Sequence, residues 1–224
     1  MQIRQFVWDI VNSNSWLIRE KSYGLLIDAI DSESLYAELE DIENLAVVLT
    51  HSHFDHICGL NRIRELKPGL KVYATEQCSY NIGNKYKNMS ASANAFMTFY
   101  NEAPFEGFIE PFVCQPADVI FNGRLNFKWH DHIIEVISFY GHSNDSLIAV
   151  IDSIYMFSGD SILGIPTVTR FPGGSTARFW REDIPKLEEM RVKKVYPGHG
   201  VPGDLKDMIL CNKRPDKFKE GTDK

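Results

Sequence analysis

Leu45-Ala46-Val47-Val48-Leu49-Thr50-His51-Ser52-His53-Phe54-Asp55-His56 runs from an apolar, β-branched segment straight into three imidazoles and a carboxylate within six residues. The apolar half reads as a buried strand, a short run bounded by polar residues. The histidines then occupy the loop at its C-terminal end, where α/β proteins present their functional groups. Imidazole and carboxylate together form a donor set for a divalent metal. One ion cannot take all four side chains from so tight a turn, whereas two adjacent ions can share them. The spacing therefore points to a two-metal centre.

Two ions need more ligands than this loop supplies, and three further residues have the right setting. His142 lies in Phe139-Tyr140-Gly141-His142-Ser143, Asp160 in Ser158-Gly159-Asp160-Ser161 and His199 in Tyr196-Pro197-Gly198-His199-Gly200. Each follows an expected strand and has glycine beside it, which lets the backbone turn sharply and bring the side chain to a shared point.

The succession H-x-H-x-D-H, a lone His, Gly-Asp and Gly-His-Gly resembles the metallo-β-lactamase superfamily, from about Ile3 to His199. The resemblance implies an α/β, four-layer αββα fold, two mixed sheets sandwiched between helices. It implies His51, His53 and His142 on a first ion, Asp55, His56 and His199 on a second, and Asp160 bridging them. Two divalent ions are expected, Zn²⁺ first, with Fe or Mn tolerated by the same donors. The nucleophile would be a metal-bridged hydroxide, with Asp55 steering it and passing a proton to the leaving group. Asp28, which ends the expected strand Tyr23–Ile27, would orient a ligand imidazole by accepting its ring N–H; the alternative is a turn or cap residue.

Composition bounds the rest. The 224 residues are 44% hydrophobic and 12% aromatic, as in a globular chain with a sizeable core, and nothing resembles a linker. One domain over residues 1–211 is expected, with 76–116 as an insertion or lid and 212–224 as a polar tail. A net charge of −6 argues against a nucleic-acid partner. The N-terminus lacks the apolar core of a signal peptide and no run approaches the ~20 residues of a membrane span, so a cytoplasmic location without a membrane partner is expected. Cys58, Cys78, Cys114 and Cys211 form no CxxC pair and read as free thiols. Cys58 is near enough to the histidine loop to be a ligand, but reads better as a small buried residue.

Along the chain, residues 2–10, 16–19 and 23–27 read as a three-stranded meander with a polar break at Asn12-Ser13-Asn14-Ser15. A helix over 31–41 carries Leu35, Leu39 and Ile42 on one face with Asp31 as its cap. A helix over 57–66 stops at Pro68-Gly69, and Val72-Tyr73-Ala74 is a further parallel strand. Residues 119–121, 125–129 and 133–139 read as strands of a second sheet, with Asn122-Gly123 as a hairpin turn. His130 and His132 imitate an H-x-H pair but stand in an expected turn without further ligands, and are left out of the centre. A hairpin around Asp152-Ser153 delivers Asp160. A helix over 183–190, a strand over 192–196 and a short helix over 205–210 complete the chain.

The segment 76–116 is rich in aromatics, including Tyr80, Phe96, Phe99, Tyr100 and Phe108, with a helix expected over 89–101. Beside the centre, Tyr100 and its neighbours would grip an apolar acyl group; otherwise they anchor a long loop or form a homodimer contact. The loop Ile165 to Ser175 is similar to the stretch after the bridging aspartate in hydroxyacylglutathione hydrolases, the glyoxalase II group. Arg170 and Arg178 flank it as candidate contacts for an anionic substrate tail. That group carries a further helical domain supplying much of its glutathione site, and only a short helical piece follows Gly203 here. The chemistry is expected to carry over and the glutathione specificity is not. Asp160, in place of a cysteine, and His53, in place of a glutamate, set aside a β-lactamase of the cysteine-using kind and the flavodiiron branch. Hydrolysis of a small acyl thioester stands first. A lactonase, a mononuclear iron persulfide dioxygenase and a non-catalytic metal-binding regulator are the alternatives.

Overall fold

The computed structural model describes residues 1–100 and 107–213, with only the backbone of residues 99 and 100. In chain order the strands are β1 (Gln2–Trp8), β2 (Ser13–Glu20), β3 (Tyr23–Ile27), β4 (Asn44–Val48), β5 (Lys71–Thr75) and β6 (Val119–Phe121), then β7 (Arg124–Trp129), β8 (His132–Ser138), β9 (Leu147–Ile151), β10 (Tyr155–Gly159) and β11 (Lys194–Pro197). The α-helices are α1 (Glu33–Leu39), α2 (Phe54–Ile57), α3 (Leu60–Leu66), α4 (Glu76–Ile82), α5 (Ala93–Tyr100), α6 (Thr176–Arg178), α7 (Ile184–Glu189) and α8 (Leu205–Cys211). One sheet has the order β1-β2-β3-β4-β5-β6 and the other β11-β10-β9-β8-β7. Both are mixed: β1 to β3 are antiparallel and β3 to β6 parallel, while β10 and β11 are parallel in an otherwise antiparallel sheet.

Strand alternation builds the layers. Leu25 and Ile27 of β3 face the second sheet, packing with Val136, Leu147, Ala149 and Ile151, while Leu26 faces outward onto Leu35, Leu39, Leu60 and Ile63 of α1 and α3. On the second sheet Ile148, Val150 and Met156 face outward onto Leu187, Leu205 and Met208 of α7 and α8. The period-2 rule thus sends alternate residues of each central strand to different cores, giving the expected helix-sheet-sheet-helix order. Among the described residues no helix is long and apolar enough to cross a membrane.

Four local expectations are corrected. Val119–Phe121 belongs to the first sheet: it pairs parallel with Tyr73–Thr75, and Asp118 pins it by donating its N–H to Val72 O at 2.9 Å and accepting the Val72 N–H at 2.8 Å. Asn122-Gly123 is therefore a crossover between sheets and not a hairpin. The cap of α1 is Ser32, whose hydroxyl accepts the Leu35 N–H, while Asp31 accepts the Tyr36 hydroxyl at 2.7 Å. The helix after the histidine loop breaks into α2 and α3 at Gly59, whose N–H donates to Ala29 O at 2.7 Å. A Cβ there would stand 2.1 Å from Ile30 O. Finally, residues 76–82, which read as loop outside the helix expected over 89–101, form a helix of their own, with the Thr75 hydroxyl accepting the Cys78 N–H at 3.1 Å.

Candidate metal centre

Four loops meet at one end of the sandwich. The first leaves β4 and carries Thr50 to His53 into α2, where His53 is the residue before the helix and Asp55 and His56 lie within it. The second follows β8 and carries His142. The third follows β10, where Gly159 has φ +48° and a Cβ would meet Thr50 Oγ1 at 2.4 Å, so only glycine lets Asp160 approach the first loop. The fourth follows β11 and carries His199. A Cβ at Gly198 would lie 2.2 Å from Asp160 Oδ1 and 2.8 Å from His56 Cε1.

The seven expected ligand side chains converge as two adjoining groups. His51 Nε2 and His142 Nε2 each lie 3.1 Å from His53 Nδ1. Asp55 Oδ2 lies 3.4 Å from His56 Nε2 and 3.3 Å from His199 Nε2. Asp160 stands between the groups, with Oδ1 3.5 Å from His56 Nε2 and Oδ2 3.5 Å from His199 Nε2 and 3.7 Å from His142 Nε2. Donors about 2.0–2.1 Å from a tetrahedral ion are separated from one another by roughly 3.3 Å. His56 Nε2 and Asp160 Oδ1 are buried without a hydrogen-bond partner among the described residues. Such orphaned groups cost about 1–3 kcal/mol each unless something else satisfies them. Donor types, spacing and the orphaned atoms all fit divalent metal.

The imidazoles are aimed by what their other nitrogen does. Asp28 Oδ1 accepts the Thr50 N–H and Oδ2 accepts the Thr50 hydroxyl, both at 2.7 Å, and the His56 Nδ1–H donates to the same Oδ2 at 2.9 Å. Having donated its proton to Asp28, the Thr50 hydroxyl accepts from His51 Nδ1 at 3.0 Å. His142 Nδ1 donates to Val168 O at 2.7 Å and His199 Nδ1 to Asn12 O at 3.1 Å. In all four rings Nδ1 is engaged outward and Nε2 faces inward, the outer-sphere arrangement that suits an imidazole to metal.

Electrostatics separates the two groups. Burial, with His56, His53 and His142 nearby, holds His51 well below the usual histidine range, and burial beside His142 lowers His53 to about 4. These rings are neutral donors. Burial also opposes charge on His56, but the carboxylates of Asp55, Asp160 and Asp28 outweigh it and push the ring up to about 10. The second group therefore concentrates negative charge that a bound cation would balance.

Asp28 thus lies against both His56 and the histidine loop. Cys58 does not reach the centre; its Sγ accepts the Asp31 N–H at 3.2 Å. Arg178 lies over the Tyr140 ring and pairs with Glu182, and neither Arg178 nor Arg170 lines the cavity described below. The Tyr100 side chain is outside the described residues. Sequence reading missed Ser13, Asn14 and Ser15, taken as a polar break. They begin β2, with Ser13 Oγ donating to Asp55 O at 2.9 Å, Asn14 Nδ2 to Pro197 O at 3.0 Å and Ser15 Oγ to Asp28 O at 2.8 Å. A run of small polar residues next to an apolar strand was the available signal. Asp183 was also missed; buried, it accepts the Gly141 N–H at 2.7 Å and so fixes the turn before His142.

A cavity of about 450 Å³ opens over the centre. His53, Asp55, Asp160 and His199 form its floor, and Val11, Met89, Phe96, Met97, Leu163, Ile165, Val168 and Phe171 line its walls.

The family model described as the metallo-beta-lactamase superfamily matches residues 8–199. The chain belongs to the metallo-beta-lactamase superfamily. Among curated relatives, this superfamily member is 22% identical over 187 residues to a hydroxyacylglutathione hydrolase from Glaesserella parasuis, covering 82% of this chain and 64% of that one. It is 27% identical over 118 residues to a hydroxyacylglutathione hydrolase from Francisella tularensis subsp. novicida, covering 51% and 46%. The chain thus spans less than two thirds of the length of either relative. Solved structures of similar fold include the BLEG-1 B3 metallo-beta-lactamase (TM-score 0.75, 20% identity, 94% of this chain and 98% of that one). TTHA1623 in a di-iron-bound form has a TM-score of 0.73 at 22% identity, with 93% and 98% covered. ETHE1 from Myxococcus xanthus has a TM-score of 0.64 at 18% identity, with 92% and 81% covered.

Proposed function

We propose that this superfamily member is a dinuclear metal-dependent hydrolase that cleaves a small acyl thioester. The observation that carries the reading is the position of Asp160, whose two oxygens lie 3.5–3.7 Å from imidazole nitrogens of both groups. His51, His53 and His142 would hold one ion and Asp55, His56 and His199 the other, with Asp160 shared; Zn²⁺ suits these donors first, and iron or manganese also fits. When bound, such ions supply Lewis acidity and a water acidified toward neutral pH. The chain supplies the rest. Thr50 and Asp28 keep the His51 and His56 lone pairs aimed inward, and the apolar walls exclude bulk water from the acyl group. Asp55, on the cavity floor, takes a proton from the attacking water on a carboxylate oxygen and passes it toward the departing sulfur. The two hydroxyacylglutathione hydrolases support thioester over lactone, since an acyl group on the thiol of glutathione is a thioester.

The test is thiol release by metal-loaded protein from a panel of glutathione, coenzyme A and uncharged thioesters, with acid production from homoserine lactones followed in parallel. Two ions per chain and thiol release are expected. Asp160→Ala should leave one ion or fewer and slow release by about 100-fold or more, beyond the loss typical of an outer-sphere change. Acid from lactones without thiol release would move the assignment to a lactonase. One iron per chain with oxygen consumption, or no turnover with two ions bound, would overturn hydrolysis.

A further inference from the structure

The floor and walls of the cavity differ in kind. Its polar groups are concentrated at the metal centre, with Asn12 beside them, and no lysine or arginine lines it among the described residues. The walls stay apolar out to the rim, where Ile165 is 60% exposed. At about 450 Å³ the space is in the range of small-molecule sites. A carboxylate or phosphate placed there would lose its hydration without gaining a cationic partner other than the centre itself.

One wall residue is fixed against the centre. The Phe171 ring stands edge-on to His53 at 5.2 Å and to His142 at 5.7 Å, with the Phe96 ring at 5.6 Å. The two glycines after Pro172 hold it there. Gly173 has φ +89°, and a Cβ at Gly174 would lie 2.4 Å from His142 O. The Gly174 N–H donates to Phe171 O at 2.8 Å, closing a tight turn against the His142 loop. Phe171 therefore bounds the space directly above the first histidine group.

We propose that the cavity takes an uncharged, apolar acyl group while any charged part of the substrate stays outside, and that Phe171 sets the width allowed beside the reacting carbonyl. The inference rests on the hydrolase reading and names its substrate class. It is tested with metal-loaded protein and thioesters of the uncharged thiol N-acetylcysteamine, from acetyl to decanoyl. kcat/KM should rise roughly fourfold for each methylene buried until the walls are filled. Phe171→Ala should raise kcat/KM for phenylacetyl relative to octanoyl thioester at least about tenfold, as expected when a pocket contact is removed. Phe171→Leu, whose melting temperature checks folding, should give an intermediate ratio. Binding of the product acids, measured by calorimetry on the same protein, separates the two claims: octanoate should bind at least tenfold tighter than acetate, with a negative heat-capacity change. Preferential octanoate binding, weakened in Phe171→Ala, with no thioester cleaved would sustain this inference and sink the thioester reading. Thiol release indifferent to acyl length, or fastest from succinyl or other anionic acyl groups, would sink this inference and leave the hydrolase standing.

Discussion

The two ends of the sandwich both carry histidines and carboxylates, and only one end is built to bind. β2 begins at Ser13 beside the centre and ends at Glu20 on the opposite side, where His132 meets Glu20 Oε2 through Nε2 at 2.6 Å and Asp152 Oδ2 through Nδ1 at 2.5 Å. Both nitrogens of His132 are occupied by protein. At the centre, His51, His56, His142 and His199 each commit one nitrogen to the protein and turn the other inward. An H-x-H spacing exists at both ends. What distinguishes a ligand from a clamp is whether one nitrogen is left over, and that is decided by outer partners such as Asp28 and Thr50.

The strongest way to break this contrast is Asp28→Asn. It keeps the shape but puts an amide where His56 and Thr50 donate, so the outer partner no longer fixes the lone pairs. Metal affinity, measured by competition with a chromophoric chelator, should fall about 10–100-fold with the fold intact by circular dichroism. Unchanged affinity would mean that the outer partners do not define the centre.

Asp183 sharpens the contrast by a smaller amount. Burial pushes its carboxyl up to about 6 despite the Gly141 N–H, above the ordinary ~3.9 of an aspartate. The stabilisation tied to the raised value is present in full below about pH 4 and is lost as pH rises through about 6. Asp183→Asn cannot ionise and so lacks this loss. Between pH 4 and pH 7 the stability of wild type relative to the variant should fall by about 2 kcal/mol in urea unfolding. A flat difference would remove Asp183 as the buried acid of the His142 turn.

His132→Ala should do least. Burial opposes charge on this ring, but Asp152 and Glu20 outweigh it and raise its pKa. Its stabilising charge is therefore complete below about pH 6.5 and fades as pH rises through the raised value. Solvent screens the cluster, so Tm should drop by about 2 °C or less at pH 6 and by less still at pH 9. Metal stoichiometry should not change. Loss of an ion would show that the far end also binds metal.

The strands that carry the ligands were legible because apolar runs ending in Thr50-His51, Gly-His and Gly-Asp combine two signals, a buried strand and a turn with chemistry. β6 was misplaced because three apolar residues before Asn122-Gly123 look the same whether the chain turns back or crosses to another sheet; the pairing of Asp118 with Val72 decides it. Ser13 to Ser15 were misread because small polar residues usually mark a turn. Here they are a buried strand end whose polar groups are consumed by Asp55, Pro197 and Asp28. Arg170 and Arg178 drew notice for their charge, while the wall that meets the cavity floor is the neighbouring Phe171.

The Gly198-His199 turn is locked by the start of β2, through Asn14 N–H to Gly198 O at 2.7 Å and His199 Nδ1 to Asn12 O across 187 residues of chain. During synthesis the cluster His51, His53 and His56 emerges long before the histidine that completes the second group. Closing a contact of such high sequence separation is the slow part of folding, and metal sites rarely exist before it. Capture of an ion by the second group is thus expected late in folding. A chain that stops short of His199 lacks one donor of the second group, so metal uptake by that group would read out that Asn12 and His199 have met.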